Sequence, residues 1–346
     1  MKKFLVITFM AGALTAQAQT STTATAGNKG FLKTLDLSLN VGTSGIGFDL
    51  ATPISDMFQV RVGYEFMPPF RVGIDFPIEV GGEPAEKYDA NGNRVESRFD
   101  RLAKNLKEVT GYDVDNHVEM IGKPTMNNFK LLFDVFPFKN NKHWHFTAGV
   151  YIGPNQFARA DNSMEAMTSL LAVDMYNHMY DRVNIAWETG EPIMNITIGG
   201  EQYVIPELSY NQVQTVMNNG RMGFTLGQYK EDVYSPEGLL IHHKGDNYVM
   251  EPGADHQVHV YAKTNAVKPY LGFGYGGRLV KGRDDWKVSF DAGVMFWGKP
   301  DLYTHDGTNL TKDVENITGK VGDYVDFFKG LVVYPSVSVR FTKTLF

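Results

Sequence analysis

The chain of 346 residues contains no cysteine. That absence excludes disulfides, thiolate metal sites and a lipid-modified cysteine anchor together. Beyond the first 16 residues it also lacks any apolar run long enough for a transmembrane helix, which needs about 18 residues or more. Any membrane passage must therefore be a closed β-barrel, the other fold that satisfies every backbone hydrogen bond in lipid. No charge of one sign dominates: 33 basic and 39 acidic residues leave a formal charge of -6, which argues against nucleic-acid binding. Gly-x-Ser-x-Gly, a phosphate loop and His-Glu-x-x-His are all missing, so motifs assign no catalytic residue, no cofactor and no metal ligand.

What is present begins at the N-terminus. Met1-Lys2-Lys3, an apolar stretch over 4–16 and the exit Ala16-Gln17-Ala18 predict a secretory signal peptide over 1–18. Residues 19–31, rich in Thr, Ser and Ala, read as a flexible leader, and 32–346 as a single barrel domain.

That domain is patterned with period two. The candidate strands are 35–51, 57–67, 128–138, 143–153, 268–280, 286–297 and 332–341. In three of them a base and an acid stand four apart on the polar face: Arg61 and Glu65, Lys130 and Asp134, Lys287 and Asp291. A soluble sandwich would turn those charges to water, whereas a membrane barrel would turn them into its lumen. The connections favour the barrel, because short turns (52–56, 139–142, 282–285) alternate with long loops at about 68–127, 154–267 and 298–331. The expected fold is all-β: an antiparallel transmembrane β-barrel with long, partly helical extracellular loops. Seven strands cannot close with both ends on one side. Leu35, Leu37, Leu39 and Val41 alternate on odd positions but Ile46, Phe48 and Leu50 on even ones, so a turn or a bulge lies at 42–45. A turn makes eight strands; a bulge sends the missing strand to 256–263 or 193–205, and ten strands are possible.

Phasing the strands assigns two faces. Trp144, Phe146, Ala148, Val150 and Ile152 face lipid, as do Trp286, Val288, Phe290, Ala292, Val294 and Phe296. Trp144 and Trp286 each follow a short turn, where the lower aromatic girdle belongs. The lumen then holds Asp36, Asp49, Glu65, Asp134 and Asp291 against Arg61, Lys130, Lys287 and Arg340, a nearly neutral network. Ion-selective pores usually carry a ring of one sign. Eight strands leave an interior that side chains just fill, and Phe136, Met295 and Tyr334 add bulk. His143 and His145 share the lumen face in a structural role. His256 and His259 would point to opposite faces of a strand and give no metal site. Asp89-Ala90-Asn91-Gly92-Asn93 reads as a hairpin turn rather than a calcium loop.

The long loops carry helical signals. Ser97 and Asp100 form a capping box before Phe99, Leu102, Leu106 and Val109, with Gly111 after them. Met164, Met167, Leu171 and Met175 suggest a second helix with that stripe as its core face, 209–219 a third, and Leu310, Val314, Ile317, Val321, Val325 and Phe328 a fourth. Together these loops are expected to fold into a small cap.

The last strand places Val333, Pro335, Val337, Val339 and Phe341 on one face, and resembles the C-terminal insertion signal of outer-membrane barrels. With Lys268-Pro269-Tyr270-Leu271-Gly272-Phe273-Gly274-Tyr275-Gly276, the 286–299 segment ending Gly-Lys-Pro, Tyr334-Pro335 and the 42–56 hairpin, the chain resembles uncharacterised small outer-membrane β-barrel proteins of Gram-negative bacteria, of the porin-superfamily type. The likeness covers the strands, under half of the chain. It implies architecture and an outer-membrane location, with outer-membrane lipid, lipopolysaccharide and the barrel-insertion machinery as partners, and brings no agreed activity. The functional expectation is a surface-interaction or envelope-structural protein whose loops meet a ligand or protein. The alternatives are a narrow uptake channel for small solutes and an outer-membrane enzyme.

Overall fold

Eight antiparallel strands, each hydrogen-bonded to its neighbours in chain order, close into a barrel: β1 (Asp36–Gly42), β2 (Gly45–Pro53), β3 (Phe58–Phe66), β4 (Asn127–Val135), β5 (Trp144–Ile152), β6 (Val267–Arg278), β7 (Trp286–Met295) and β8 (Tyr334–Thr344). The computed structural model describes residues 34–138, 141–198, 201–205, 209–317 and 319–346, and all their side chains except those of 109–110, 194–198 and 201–205. The expected signal peptide and leader lie outside the described residues. Closure runs from Asp36 opposite Thr344 to Gly42 opposite Ser338 without a register shift. The last strand thus passes Phe341 in one phase and ends in a short extension.

The phase flip at 42–45 is a turn. Gly42 pairs with Gly45 around Thr43 and Ser44, and Gly45, which follows the turn pair, takes φ 116°, a backbone conformation that glycine adopts freely. Eight strands therefore suffice. The segments considered for a missing strand lie elsewhere: His259–Lys263 belongs to a separate sheet, and Met194–Ile198 forms a hairpin with Glu201–Ile205.

Alternation puts apolar side chains outside on every strand. Leu39, Phe48, Phe58, Leu131, Phe146, Phe273, Phe290 and Val337 are all exposed. Continuous exposure of this kind on all sides of a closed barrel has one physical use, contact with hydrocarbon. Aromatic rings gather toward both rims, with Phe48, Tyr64 and Phe129 in sequence above and Trp144 against Tyr275 at 4.9 Å below. Among the described residues no helix is long and apolar enough to cross a membrane.

The three long upper connections fold together as a cap. A five-stranded sheet runs in the order Asp301–Thr304, His259–Lys263, Gln156–Asn162, His117–Pro124, Val72–Pro77, and a second sheet is centred on Met222–Tyr229. The largest buried apolar cluster lies here, including Ile78, Val118, Met120, Leu170, Phe224, Tyr248 and Trp297. Helix α1 (Arg98–Thr110) has the Ser97–Asp100 capping box and ends at Gly111 with φ 77°. Helix α2 spans Met167–Thr189, α3 Tyr210–Asn219 and α4 Gly319–Gly330.

Two sequence expectations need correction. Helix α2 forms, but buries Leu170, Val173, Tyr176 and Val183, while Met164, Leu171 and Met175 are exposed. Asp174, His178, Asp181 and Arg182 gather on the side of the helix away from the buried residues, a charged face that the methionine spacing leaves out of account. In the last loop only the second half of the stripe is helical. Leu310 is buried ahead of the helix, and Val314 belongs to a short strand paired with Tyr229.

Candidate functional site

The alternation that paints the outside of the barrel apolar directs the other set of side chains into the lumen. Asp36, Asp49, Arg61, Glu65, Lys130, Asp134, Asp291 and Arg340 are all at most 7 % exposed. Lys287 lies at the lower rim with its side chain 47 % exposed, 3.6 Å from Asp36.

Bases and acids four apart on one strand do not pair with each other. They are separated by about 13 Å of strand, beyond side-chain reach. Pairing instead runs diagonally between strands. Arg61 stands opposite Leu132 and Ala51, so its partners are the residues two along, Asp134 at 2.9 Å and Asp49 at 3.7 Å. Lys130 stands opposite Gly63 and reaches Glu65 at 2.8 Å and Asp49 at 2.9 Å. Arg340 joins Asp291 at 3.2 Å and Asp134 at 3.6 Å.

Sequence reading left Lys268 out of this interior. Lys268 is fully buried and donates to Asn128 Oδ1 at 3.0 Å, so the five acids of the set face five bases. Its place on the even positions of β6, with Tyr270, was the available signal. His145 sits 2.6 Å from Asp291 Oδ1, and Thr147 donates to Asp134 at 2.7 Å. Beside the charges, Leu132, Tyr151, Tyr270 and Met295 form a small apolar cluster with Tyr334 packed on it. The lumen is thus filled by charges and rings together, Tyr151 standing level with Lys130 and Lys268.

Below the network the lumen opens into a cavity of about 720 Å³ on the short-turn side, bounded inward by His145, Ser289 and Arg340. His143 closes against the Gly276 carbonyl at its rim. The other histidines lie in the cap. His259 is held between Asp161 at 2.7 Å and Asp255 at 2.8 Å, and its hydrogen bond holds the exposed Asp255 below the usual carboxylate range. His256 pairs with Asp174 of α2 at 2.8 Å. No group of three or more acidic, histidine or cysteine side chains among the described residues is arranged to hold a metal. Asp89 accepts from the backbone of Asn91 and Asn93 at 2.9 Å each, closing the Lys87–Tyr88 to Arg94–Val95 hairpin.

A second cavity, of about 440 Å³ and lined almost wholly by apolar side chains, lies in the cap. Phe157, Trp297 and Phe328 form its inner wall, with Ala158 and Ala160 of the five-stranded sheet on another side. Trp297 is buried, packs at a tilt against Phe157 with ring centroids 4.8 Å apart and donates its indole N–H to the Leu331 carbonyl at 2.7 Å.

No protein-family model matches the chain, and no curated protein matches it. Among solved structures it is similar to CarO of Acinetobacter baumannii at 12 % identity, over 91 % of this chain and 99 % of that one, with a TM-score of 0.37. It is also similar to CarO2 of the same organism at 11 % identity, over 91 % and 100 % of the two chains, with a TM-score of 0.35. A major outer membrane protein from Thermus thermophilus aligns at 11 % identity over 89 % and 98 %, with a TM-score of 0.25. Scores of this size transfer no site, and the barrel stands on its own register and closure.

Proposed function

We propose that this chain is an outer-membrane anchor whose barrel is sealed by its own neutral charge network, and that its folded extracellular cap is the part that recognises a partner or ligand. The observation that carries this reading is the buried, cross-paired set Asp49, Arg61, Lys130 and Asp134 on β2 to β4, at most 5 % exposed, which Asp134 joins across the lumen to Arg340 of β8 at 3.6 Å. Moving an ion through it would require breaking several low-dielectric pairs at once. The outer-membrane setting follows from a β-barrel belt joined to a predicted export signal. Outer-leaflet lipid, lipopolysaccharide and the insertion machinery acting on the last strand are then its envelope partners. Purified protein in planar bilayers is expected to show no discrete conductance, and reproducible openings would sink the sealed-barrel reading.

One observation favours a second reading. The 720 Å³ lower cavity reaches inward to His145 and Arg340, as the inner vestibule of a narrow channel for small solutes would. Liposome swelling in amino acids and sugars separates the two: swelling supports the channel, and its absence for all small solutes leaves the anchor.

A further inference from the structure

The tight turn between β1 and β2 leaves one side of the cap low. Three upper connections are long, but Thr43 and Ser44 are all that join these two strands. The apolar cavity of the cap lies at this place: Thr43 from the turn, Met67 after β3 and Tyr334 at the start of β8 all line it. The barrel's apolar belt continues upward to the same opening. Val41 and Val337 are exposed on the strands, Val332 and Val333 above them, and then Phe327 of α4 at 60 % and Phe70 at 55 % exposure. An apolar surface that leaves the hydrocarbon belt and enters a hollow is a path for an acyl chain rather than for a polar solute.

The charges at the cavity select the headgroup. Its lining holds two bases, Lys123 and Arg159, and no acid. Arg159 is engaged with Asp161 at 2.5 Å. Lys123 has no ion-pair partner among the described residues. Val72 pairs with Gly122, so Arg71, which also has none, follows next to Lys123 in the register. The volume of 440 Å³ falls in the lower half of the roughly 300–1,000 Å³ typical of small-molecule sites, enough for one chain and not for a whole phospholipid.

We infer that the cap cavity binds a single-chain anionic amphiphile, drawn laterally from the outer leaflet, with its chain against Trp297 and its headgroup at Lys123. This inference rests on the cap being the recognising part of the protein.

The test uses the full protein in phosphatidylcholine nanodiscs and brominated dodecanoate, whose bromine quenches tryptophan only at contact. Of the four tryptophans, Trp297 lines the cavity, and replacing it with Phe isolates its signal. The expected result is saturable quenching that disappears in Trp297→Phe and weakens about tenfold or more in Ala160→Phe, which fills the cavity. In Lys123→Glu, dodecanoate should weaken about tenfold, the scale of one lost charge-assisted contact, while brominated dodecanol is unchanged. Heat-modifiable migration on detergent gels confirms that each variant is folded. The inference is overturned by quenching of Trp297 that rises linearly with ligand, by saturable quenching that persists in Trp297→Phe beyond the linear bilayer background of the lipid-facing Trp144 and Trp286, or by saturable quenching that brominated dodecyltrimethylammonium matches. Equal Trp297 quenching by brominated phospholipid alone would also overturn it, by placing a bilayer lipid in the cavity. Conductance of the same preparation tests the sealed lumen separately: openings with saturable quenching retained would remove the seal and keep the site, and silence without quenching the reverse.

Discussion

Arg61 and Lys287 share a face type, a charge and a sequence pattern, yet the structure gives them different energetic roles. Arg61 is buried between Asp134 and Asp49, and removing it leaves two desolvated carboxylates short of a cation, with only Arg340 beside Asp134 and Lys130 beside Asp49. Arg61→Met should therefore destabilise the barrel by about 3–5 kcal/mol. Lys287 faces the open lower cavity, and Lys287→Met should change stability by less than about 1 kcal/mol. Urea unfolding in detergent micelles, followed by gel mobility, measures both, and equal effects would refute the distinction. Gly274 makes the same point about space: a Cβ there would meet the His145 ring and the Asp291 carboxylate. Gly274→Ala is expected to lower the yield of folded barrel sharply, whereas Gly330→Ala, with nothing within 4 Å, should fold normally. The charged residues themselves were readable from alternation. Their partners were not, because pairing depends on which strand lies beside which and on the two-residue diagonal.

At the scale of elements, local signals did well where they were chemical and poorly where they were only periodic. The Ser97–Asp100 box and Gly111 mark the two ends of α1 because capping satisfies backbone groups with adjacent residues alone. The Met164–Met175 stripe misplaced the buried face of α2, since those methionines border the charged side formed by Asp174, His178 and Asp181. The cap strand Asn247–Met250 offers a pH test. Tyr248 is buried there and donates to Asp306 Oδ2 at 2.8 Å, beside Thr304, which donates to Oδ1 at 2.6 Å. Burial works to raise the Asp306 carboxyl, but hydrogen bonds from Thr304, the Thr308 backbone and Tyr248 hold it below the usual range. A lowered folded value means that this contribution is complete above the unfolded value near 4 and is lost as pH falls below it. Hydrogen exchange at Asn247–Met250, corrected for intrinsic rates, should thus accelerate below about pH 4. Asp306→Asn should exchange faster at neutral pH and lose that acid dependence; an unchanged acid response would count against the account.

For the whole molecule the decisive fact is inversion: the barrel turns apolar residues outward and buries charge, while the cap above it has the ordinary arrangement around Trp297 and Phe224. Phe290 is 62 % exposed near the middle of the belt. In water, Phe290→Arg would be nearly neutral, but in a bilayer it should cost about 2–4 kcal/mol of folding stability. Folding titrations into phosphatidylcholine vesicles measure this, and a neutral result would refute the membrane-spanning orientation.

By itself the sequence determined the class of fold, the side of each strand that meets lipid, and the residues available to the lumen. It did so because period-two alternation, the absence of an apolar helix and the alternation of short and long connections are local or additive properties of the chain. Tertiary structure alone decided the rest: that 42–45 is a turn, that Arg61 pairs across strands, and that a cavity stands over the one low edge of the cap. Each of these follows from strand closure and from contacts between residues up to about 300 positions apart, as between Ser38 and Thr342. Such distances are set by register and packing, and no local pattern encodes them.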